Sequence, residues 1–352
     1  MKRLVILGGG ESGVGTAILG KKQGYKVFVS DYGTIKTKYR DVLKNYEIEW
    51  EDGGHTEAKI LNADLIMKSP GIPDKATLIQ KLVAAGIPVI SEIEFASRYT
   101  NATLVGITGS NGKTTTTLMM AQILKQAGFK SVAAGNIGDS FARWVALDDQ
   151  DYYALEISSF QLDGIVDFAP HIAILTNITP DHLDRYEYKF ENYIRSKFRI
   201  AENQTENDYL IYDADDEVIA DWLEKHRVKA KLMPFSITKQ VKQGAFYAQD
   251  EITIITDDTS MTMSTKTSIL ITMTPKKTRN TLRTWSENDV QCAENNSNKL
   301  RTTKNQPEPK GKTLPSFSTE TITENSPKHC GVYSTTPSSV NLLFDAIYKD
   351  FG

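Results

Sequence analysis

The sequence predicts an α/β protein: a Rossmann-like parallel-sheet unit, then a P-loop type α/β unit, then a tail of different composition. Three observations carry this reading. Arg3-Leu4-Val5-Ile6-Leu7 runs straight into Gly8-Gly9-Gly10-Glu11-Ser12-Gly13, an apolar strand feeding a glycine-rich turn. A second apolar strand, 103–107, runs into Gly109-Ser110-Asn111-Gly112-Lys113-Thr114-Thr115. From about Asp257 onward Thr, Ser, Asn and Lys dominate, and no glycine occurs between Gly244 and Gly311.

The 352 residues allow two or three domains, and the net charge of −3 gives no reason to expect nucleic acid or an acidic membrane as partner. No apolar run is long enough to span a bilayer. The opening Met1-Lys2-Arg3 leads into a strand and glycines without a cleavage-like segment, so it does not read as a signal peptide. The two cysteines, Cys292 and Cys330, show neither metal spacing nor a disulfide framework. A cytoplasmic location is expected.

In residues 1–99 the glycine turn is followed by a helical stretch, 14–23, and a second strand that ends at Asp31. A G-x-G-x-x-G turn with an acid about 20 positions on is the mark of a nucleotide-binding βαβ unit, with pyrophosphate at the helix N-terminus and ribose or base near the acid. On this motif alone a nicotinamide or flavin oxidoreductase is the default reading. Leu65-Ile66-Met67-Lys68 and Pro88-Val89-Ile90-Ser91 are later strands of the same sheet; the first leads into Ser69-Pro70-Gly71-Ile72-Pro73, a stiff loop with one unhindered glycine. No acid–base pair stands out, so the segment reads as a binding domain.

Residues 100–256 carry the second loop. Glycines let backbone N–H groups curl around phosphate oxygens, Lys113 would reach the terminal phosphates, and the Thr114 hydroxyl would hold Mg²⁺. Ile107 stands where the strict phosphate-loop pattern has its first glycine. Further on, Asn136 in Gly135-Asn136-Ile137-Gly138 offers a donor and an acceptor, and Glu156 closes an apolar strand where a second Mg²⁺ anchor is usual. His182 lies between Asp181 and Asp184, a setting for a divalent metal or a general base. A helix over 190–202 carries Lys197; it is either part of a solvated basic face or a cation turned toward the metal site, balanced there by phosphate or by covalent modification. Residues 244–247 and 252–255 form a hairpin pattern.

Five segments occur in order: Thr-Gly-Ser-Asn-Gly-Lys-Thr-Thr-Thr from Thr108, Gly-Asn-Ile-Gly from Gly135, Leu-Glu-Ile-Ser-Ser-Phe-Gln-Leu from Leu155, Asn-Ile-Thr-Pro-Asp-His-Leu-Asp-Arg from Asn177, and Ser-Lys-Phe-Arg-Ile from Ser196. Together they resemble the Mur ligases of peptidoglycan synthesis, and within that family the branch that adds D-glutamate; Asn111 points the same way. The resemblance covers about residues 1–255. It implies that Ser12, Asp31 and Gly71 contact the UDP part of the substrate and Asn136 its muramoyl part. It implies an ATP site on 109–115, Mg²⁺ held by Thr114, Glu156 and His182, and a carbamylated Lys197, with Lys113, His182 and Lys197 in catalytic roles. The implied reaction joins UDP-N-acetylmuramoyl-L-alanine to D-glutamate: ATP phosphorylates the substrate carboxylate, and the amine of D-glutamate attacks the acyl phosphate. A monomer is expected.

The family's His-Asn segment and its Asp-Ser-Lys-Ala-Thr motif are not found after residue 255. Residues 257–352 therefore read as a disordered or frame-shifted tail. This leaves a second reading, an inactive remnant that only binds the UDP-muramoyl substrate and ATP.

Overall fold

The computed structural model describes residues 1–147, 150–257 and 259–265. Met1–Ser264 fall in one compact unit. Most of the tail, both cysteines included, lies outside the described residues.

The first sheet alternates strands and helices: β1 (Arg3–Leu7), α1 (Glu11–Lys22), β2 (Lys26–Asp31), α2 (Thr37–Asn45), β3 (Glu49–Asp52), α3 (Glu57–Ile60), β4 (Leu65–Lys68), α4 (Thr77–Ala84), β5 (Val89–Ile90) and α5 (Glu92–Ser97). Its order is β3-β2-β1-β4-β5, parallel throughout, the doubly wound arrangement expected from the repeating strand–helix pattern. Leu4, Val5, Ile6 and Leu7 are all buried, as a strand covered on both faces requires. The glycine turn is set by close approach: a Cβ on Gly13 would lie 1.9 Å from the Gly8 carbonyl oxygen, so α1 can start against β1 only without a side chain there.

The second sheet starts after Tyr99–Ala102 with β6 (Thr103–Thr108), then α6 (Lys113–Gln126), β7 (Ser131–Gly135), α7 (Phe141–Leu147), β8 (Tyr152–Glu156), α8 (Ser159–Leu162), β9 (Ile172–Leu175), α9 (Phe190–Phe198), β10 (Tyr209–Asp213), α10 (Glu217–Lys225), β11 (Lys231–Ser236), β12 (Gly244–Ala248), β13 (Glu251–Ile255) and β14 (Ser260–Ser264). Strand order is β14-β13-β12-β11-β10-β9-β6-β8-β7. The strands from β7 to β12 are parallel; β12, β13 and β14 pair antiparallel as a meander. The hairpin read from residues 244–255 is β12 and β13. β14 continues the sheet past Asp257, where the composition changes, with Thr253 and Thr262 hydroxyls bonded across the ladder. Helix bounds differ from the sequence pattern: α1 spans Glu11–Lys22 rather than 14–23, and α9 ends at Phe198, with a 3₁₀ turn over Arg199–Ala201 completing most of the predicted segment.

Helices α1, α5 and α7 join the two sheets. Gly15 of α1 faces Ser140 and Arg143, and Glu11 pairs with Arg143 at 2.6 Å. Ser91 donates its N–H to the Gly164 carbonyl, and the fully buried Glu94 accepts from the N–H groups of Val166, Asp167 and Phe168. Glu92, equally buried, accepts from the N–H of Ala142 at 2.6 Å. These contacts place the carboxyl ends of both sheets toward one cleft.

Candidate functional site

The cleft holds a cavity of about 250 Å³. Its wall brings together Gly71 from the first sheet's loops with Lys113, Asn136, His182 and Lys197 from the second. A larger hollow of about 790 Å³ opens around Thr100, Asn101 and Asp151, at the amino ends of β6 and β8. It contains none of the predicted residues, and ligands of doubly wound sheets bind at the carboxyl ends of strands.

The phosphate loop is built from β6 outward. Gly112 caps α6 in the left-handed region, φ +82°, which a side chain would strain. Asn177 and Thr179, just after β9, hold the loop open: Asn111 N–H donates to Asn177 Oδ1 at 2.9 Å, and Thr179 N–H donates to Ser110 Oγ at 2.9 Å. Lys113 Nζ donates to the carbonyls of Gly109 and Ser110, at 2.9 Å each. Thr115, also in the predicted phosphate site, is exposed in the first turn of α6.

Glu156 ends β8 and is almost fully buried. One carboxylate oxygen accepts from Thr114 Oγ1 at 2.6 Å, the other from Asn136 Nδ2 at 2.9 Å. The acid therefore stands directly behind Thr114 of the loop and Asn136 of the cavity wall. His182 follows on a loop with φ +49°; its ring is exposed, 3.5 Å from Asp181 Oδ2 and packed against Phe160. Among the described residues no group of three His, Cys, Asp or Glu side chains gathers as a closed metal cage.

Lys197 is 2% exposed on α9, its Nζ above the Tyr193 ring. Burial, with the Lys113 ammonium nearby, pushes its amine down to about 7, against the pull of Asp181 and Asp163. The reading of a solvated basic face does not apply to this residue: it is the buried one, while Arg195 is exposed.

In the first sheet Ser12 sits in the opening turn of α1, its carbonyl accepting from Thr16 Oγ1. Asp31 commits both oxygens to backbone, taking Gly9 N–H at 2.6 Å and Gly33 N–H at 2.8 Å. It thus shapes the glycine turn from the neighbouring strand. Ser12 and Asp31 do not line the cavity; Gly71 does.

Sequence reasoning passed over Pro70, Ser158, Phe160 and Tyr193, all in the cavity wall. Tyr193 stands one helical turn before Lys197, so the i, i+4 spacing carried the signal. Ser158 and Gln161 form a capping box that turns Phe160 into the cleft.

Residues 3–78 match the MurD N-terminal domain and residues 107–276 the Mur ligase middle domain. The chain is 62% identical over 264 residues to the UDP-N-acetylmuramoylalanine--D-glutamate ligase of Christiangramia forsetii, covering 75% of this chain and 59% of that protein. It is 54% identical to the protein of the same name from Bacteroides thetaiotaomicron, with the same coverage of both. The chain thus spans about three-fifths of the length of these relatives. Among solved structures, the UDP-N-acetylmuramate:L-alanyl-gamma-D-glutamyl-meso-diaminopimelate ligase from Neisseria meningitides shares the fold, with TM-score 0.52 and 19% identity over 74% of this chain and 86% of that one. With the N-terminal and middle domains both matched, the chain belongs to the Mur ligase family.

Proposed function

We propose that this chain carries the substrate and nucleotide sites of an ATP-dependent ligase that adds D-glutamate to UDP-N-acetylmuramoyl-L-alanine. Residues 1–99 act as the UDP-binding domain and 100–256 as the ATP-binding domain. The observation that carries the reading is the shared cleft: Pro70 and Gly71 from the first sheet's loop and Lys113 of the Lys-Thr loop line one cavity together with His182 and Lys197. An oxidoreductase, suggested by the first turn alone, has no use for the second loop.

The residues present fit ATP and Mg²⁺. Among the described residues Lys113 is bonded to two loop carbonyls, which an anionic phosphate would replace as partners. Thr114 and Glu156 offer one hydroxyl and one carboxylate, and Mg²⁺ commonly takes one or two carboxylates and completes its shell with phosphate oxygens and water. His182 would serve a second ion. When bound, ATP supplies the phosphoryl group that turns the substrate carboxylate into an acyl donor. The protein's part is to hold and orient: Lys113 offsets phosphate charge, Asn136 positions the muramoyl part, and Ser12, Asp31 and Gly71 fix the UDP end.

Lys197 fits carbamylation. Its depressed pKa leaves much of the amine neutral near pH 7, and only the neutral amine adds CO₂. Addition forms an N–C bond, releases one proton and leaves an anion, which suits a position beside Mg²⁺.

The test is ADP release by the full chain. Release that requires both UDP-N-acetylmuramoyl-L-alanine and D-glutamate, and that is abolished in Lys113→Ala, supports the ligase. Binding of both nucleotides without ADP release leaves the binding-only remnant. Turnover unchanged in Lys113→Ala refutes the phosphate-loop assignment.

A further inference from the structure

Arg185 closes a 3₁₀ turn, Leu183–Arg185, immediately after the His182 loop. Its guanidinium reaches across the cleft. Nη2 donates to the Pro70 carbonyl at 3.3 Å, and the Cζ atom stands 4.4 Å above the Phe160 ring. Among the described residues it makes no ion pair. A half-buried guanidinium is thus held by a ring and one carbonyl, and that carbonyl belongs to the other sheet.

The turn that presents Arg185 is fixed. Arg185 N–H donates to the His182 carbonyl, the Tyr186 hydroxyl is bonded to Asp163, and the Phe160 and Tyr186 rings stack 13° from parallel. The loop it reaches is fixed from only one side by its own sheet. Lys68 Nζ bonds the Ile72 carbonyl and pairs with Asp74, and Ser69 N–H bonds the Leu7 carbonyl. Between these anchors Pro70 and Gly71 face the cavity, and a Cβ on Gly71 would meet nothing within 4 Å.

We propose that Arg185 is a positioning residue for the neighbouring sheet's substrate loop: from the second sheet it holds Ser69-Pro70-Gly71 in the shape that receives the UDP-bearing substrate. The inference rests on the proposed UDP site and goes beyond it, because the residue comes from the ATP side of the cleft. Arginine suits the task better than lysine. Its planar group can stack on a ring and donate at its edge at the same time, whereas an ammonium does one or the other.

The experiment is calorimetric titration of the full chain with UDP-N-acetylmuramoyl-L-alanine and, separately, with ADP and Mg²⁺. Arg185→Ala should weaken the UDP ligand by about tenfold, the scale of one charged hydrogen bond, while ADP affinity and Tm stay at wild-type values. Arg185→Lys should recover part of the loss. A merely structural role would move Tm and both ligands together, and that result overturns the proposal. Wild-type UDP affinity in Arg185→Ala overturns it as well. If the wild-type chain binds ADP but no UDP ligand, the UDP site itself is refuted and the positioning role falls with it. If it binds both and the alanine variant changes neither, the site stands and only the role of Arg185 fails.

Discussion

Glu92→Gln should make the protein more stable at neutral pH and remove part of its pH dependence. Glu92 is fully buried on α5; one oxygen accepts from Ala142 N–H, and the other has no hydrogen-bond partner among the described residues. Burial raises its carboxyl from 4.5 to about 7, and the nearby Glu11 adds to the rise, against the lowering effect of the Ala142 and Phe141 N–H groups. The folded protein therefore holds this proton up to about pH 7, whereas the unfolded chain releases it near 4.5. Between those values the unfolded state binds fewer protons, so stability falls as pH rises. At ~1.4 kcal/mol per pH unit the fall amounts to about 3 kcal/mol, complete by pH 7, with no further change above it.

Glutamine has the shape of the protonated acid and cannot ionise. Urea unfolding from pH 4.5 to 8 is the assay. The variant and the wild type should coincide at the acid end and diverge upward, the variant leading by about 3 kcal/mol at pH 8. Glu94→Gln is the internal contrast. Glu94 is buried too, which pushes its carboxyl up, but the N–H groups of Val166, Phe168 and Asp167 together with Arg98 bring it below its ordinary value. Its carboxylate therefore stabilises the fold at neutral pH, and that contribution is lost as pH falls through its lowered pKa. Replacing it should destabilise most at neutral pH. If Glu92→Gln tracks the wild type at every pH, or is the less stable at pH 8, the argument from burial is wrong.

Three further outcomes are expected. Gly15→Ala places a Cβ 1.9 Å from Ser140 Oγ and 3.0 Å from Arg143 N, so α1 and α7 must separate; a loss of about 1–3 kcal/mol in urea unfolding is expected, and an unchanged midpoint would show that the helices slide freely. Asp31→Ala removes the acceptor for Gly9 and Gly33 N–H, so UDP-ligand affinity should fall by about tenfold or more with ADP affinity intact; titration calorimetry decides, and equal UDP affinity would mean that the glycine turn stands unaided. With ¹³C-bicarbonate, the wild type should show a carbamate resonance at pH 8 that fades below about 7 as the Lys197 ammonium re-forms, and Lys197→Ala should lack it; a resonance that persists in the variant places the carbamate elsewhere.

Both glycine turns were legible because their chemistry is local. Gly8 to Gly13 and Gly109 to Thr114 each encode strand, turn and helix start within one short run, and glycine at those points reflects close approach or positive φ. The pair that joins the sheets was not legible. Glu92 and Glu94 follow a short strand and resemble exposed acids at a helix start; their burial depends on Ala142 and on residues 166–168, far along the chain. Asp31 was found for its position, yet one oxygen turns to Gly9 N–H in the glycine turn after β1 and the other to Gly33 N–H in its own turn. Lys197 could not be told from Arg195 by periodicity alone, since both lie on one charged helix and only packing against Tyr193 buries the first.

The cleft explains why these long-range residues matter. It gathers Lys113, Lys197 and His182 with Asp181 as the acid in its wall, and Arg185 beside it. Burial first and then the Lys113 ammonium disfavour a charged Lys197, and the lowered amine records both. An anionic ligand relieves the repulsion between Lys113 and Lys197, so charge favours an anion on the second sheet's side of the cleft. Charge does not set the distance between the two sides. That distance is fixed by α5 through Glu92, Glu94 and Ser91, and is finished at the loop by Arg185. A substrate with UDP at one end and a reacting carboxylate at the other needs both sides in register, because catalysis by orientation is lost when the ends are displaced by an ångström or so. The buried carboxylates of the joint thus bear on the proposed chemistry without touching it.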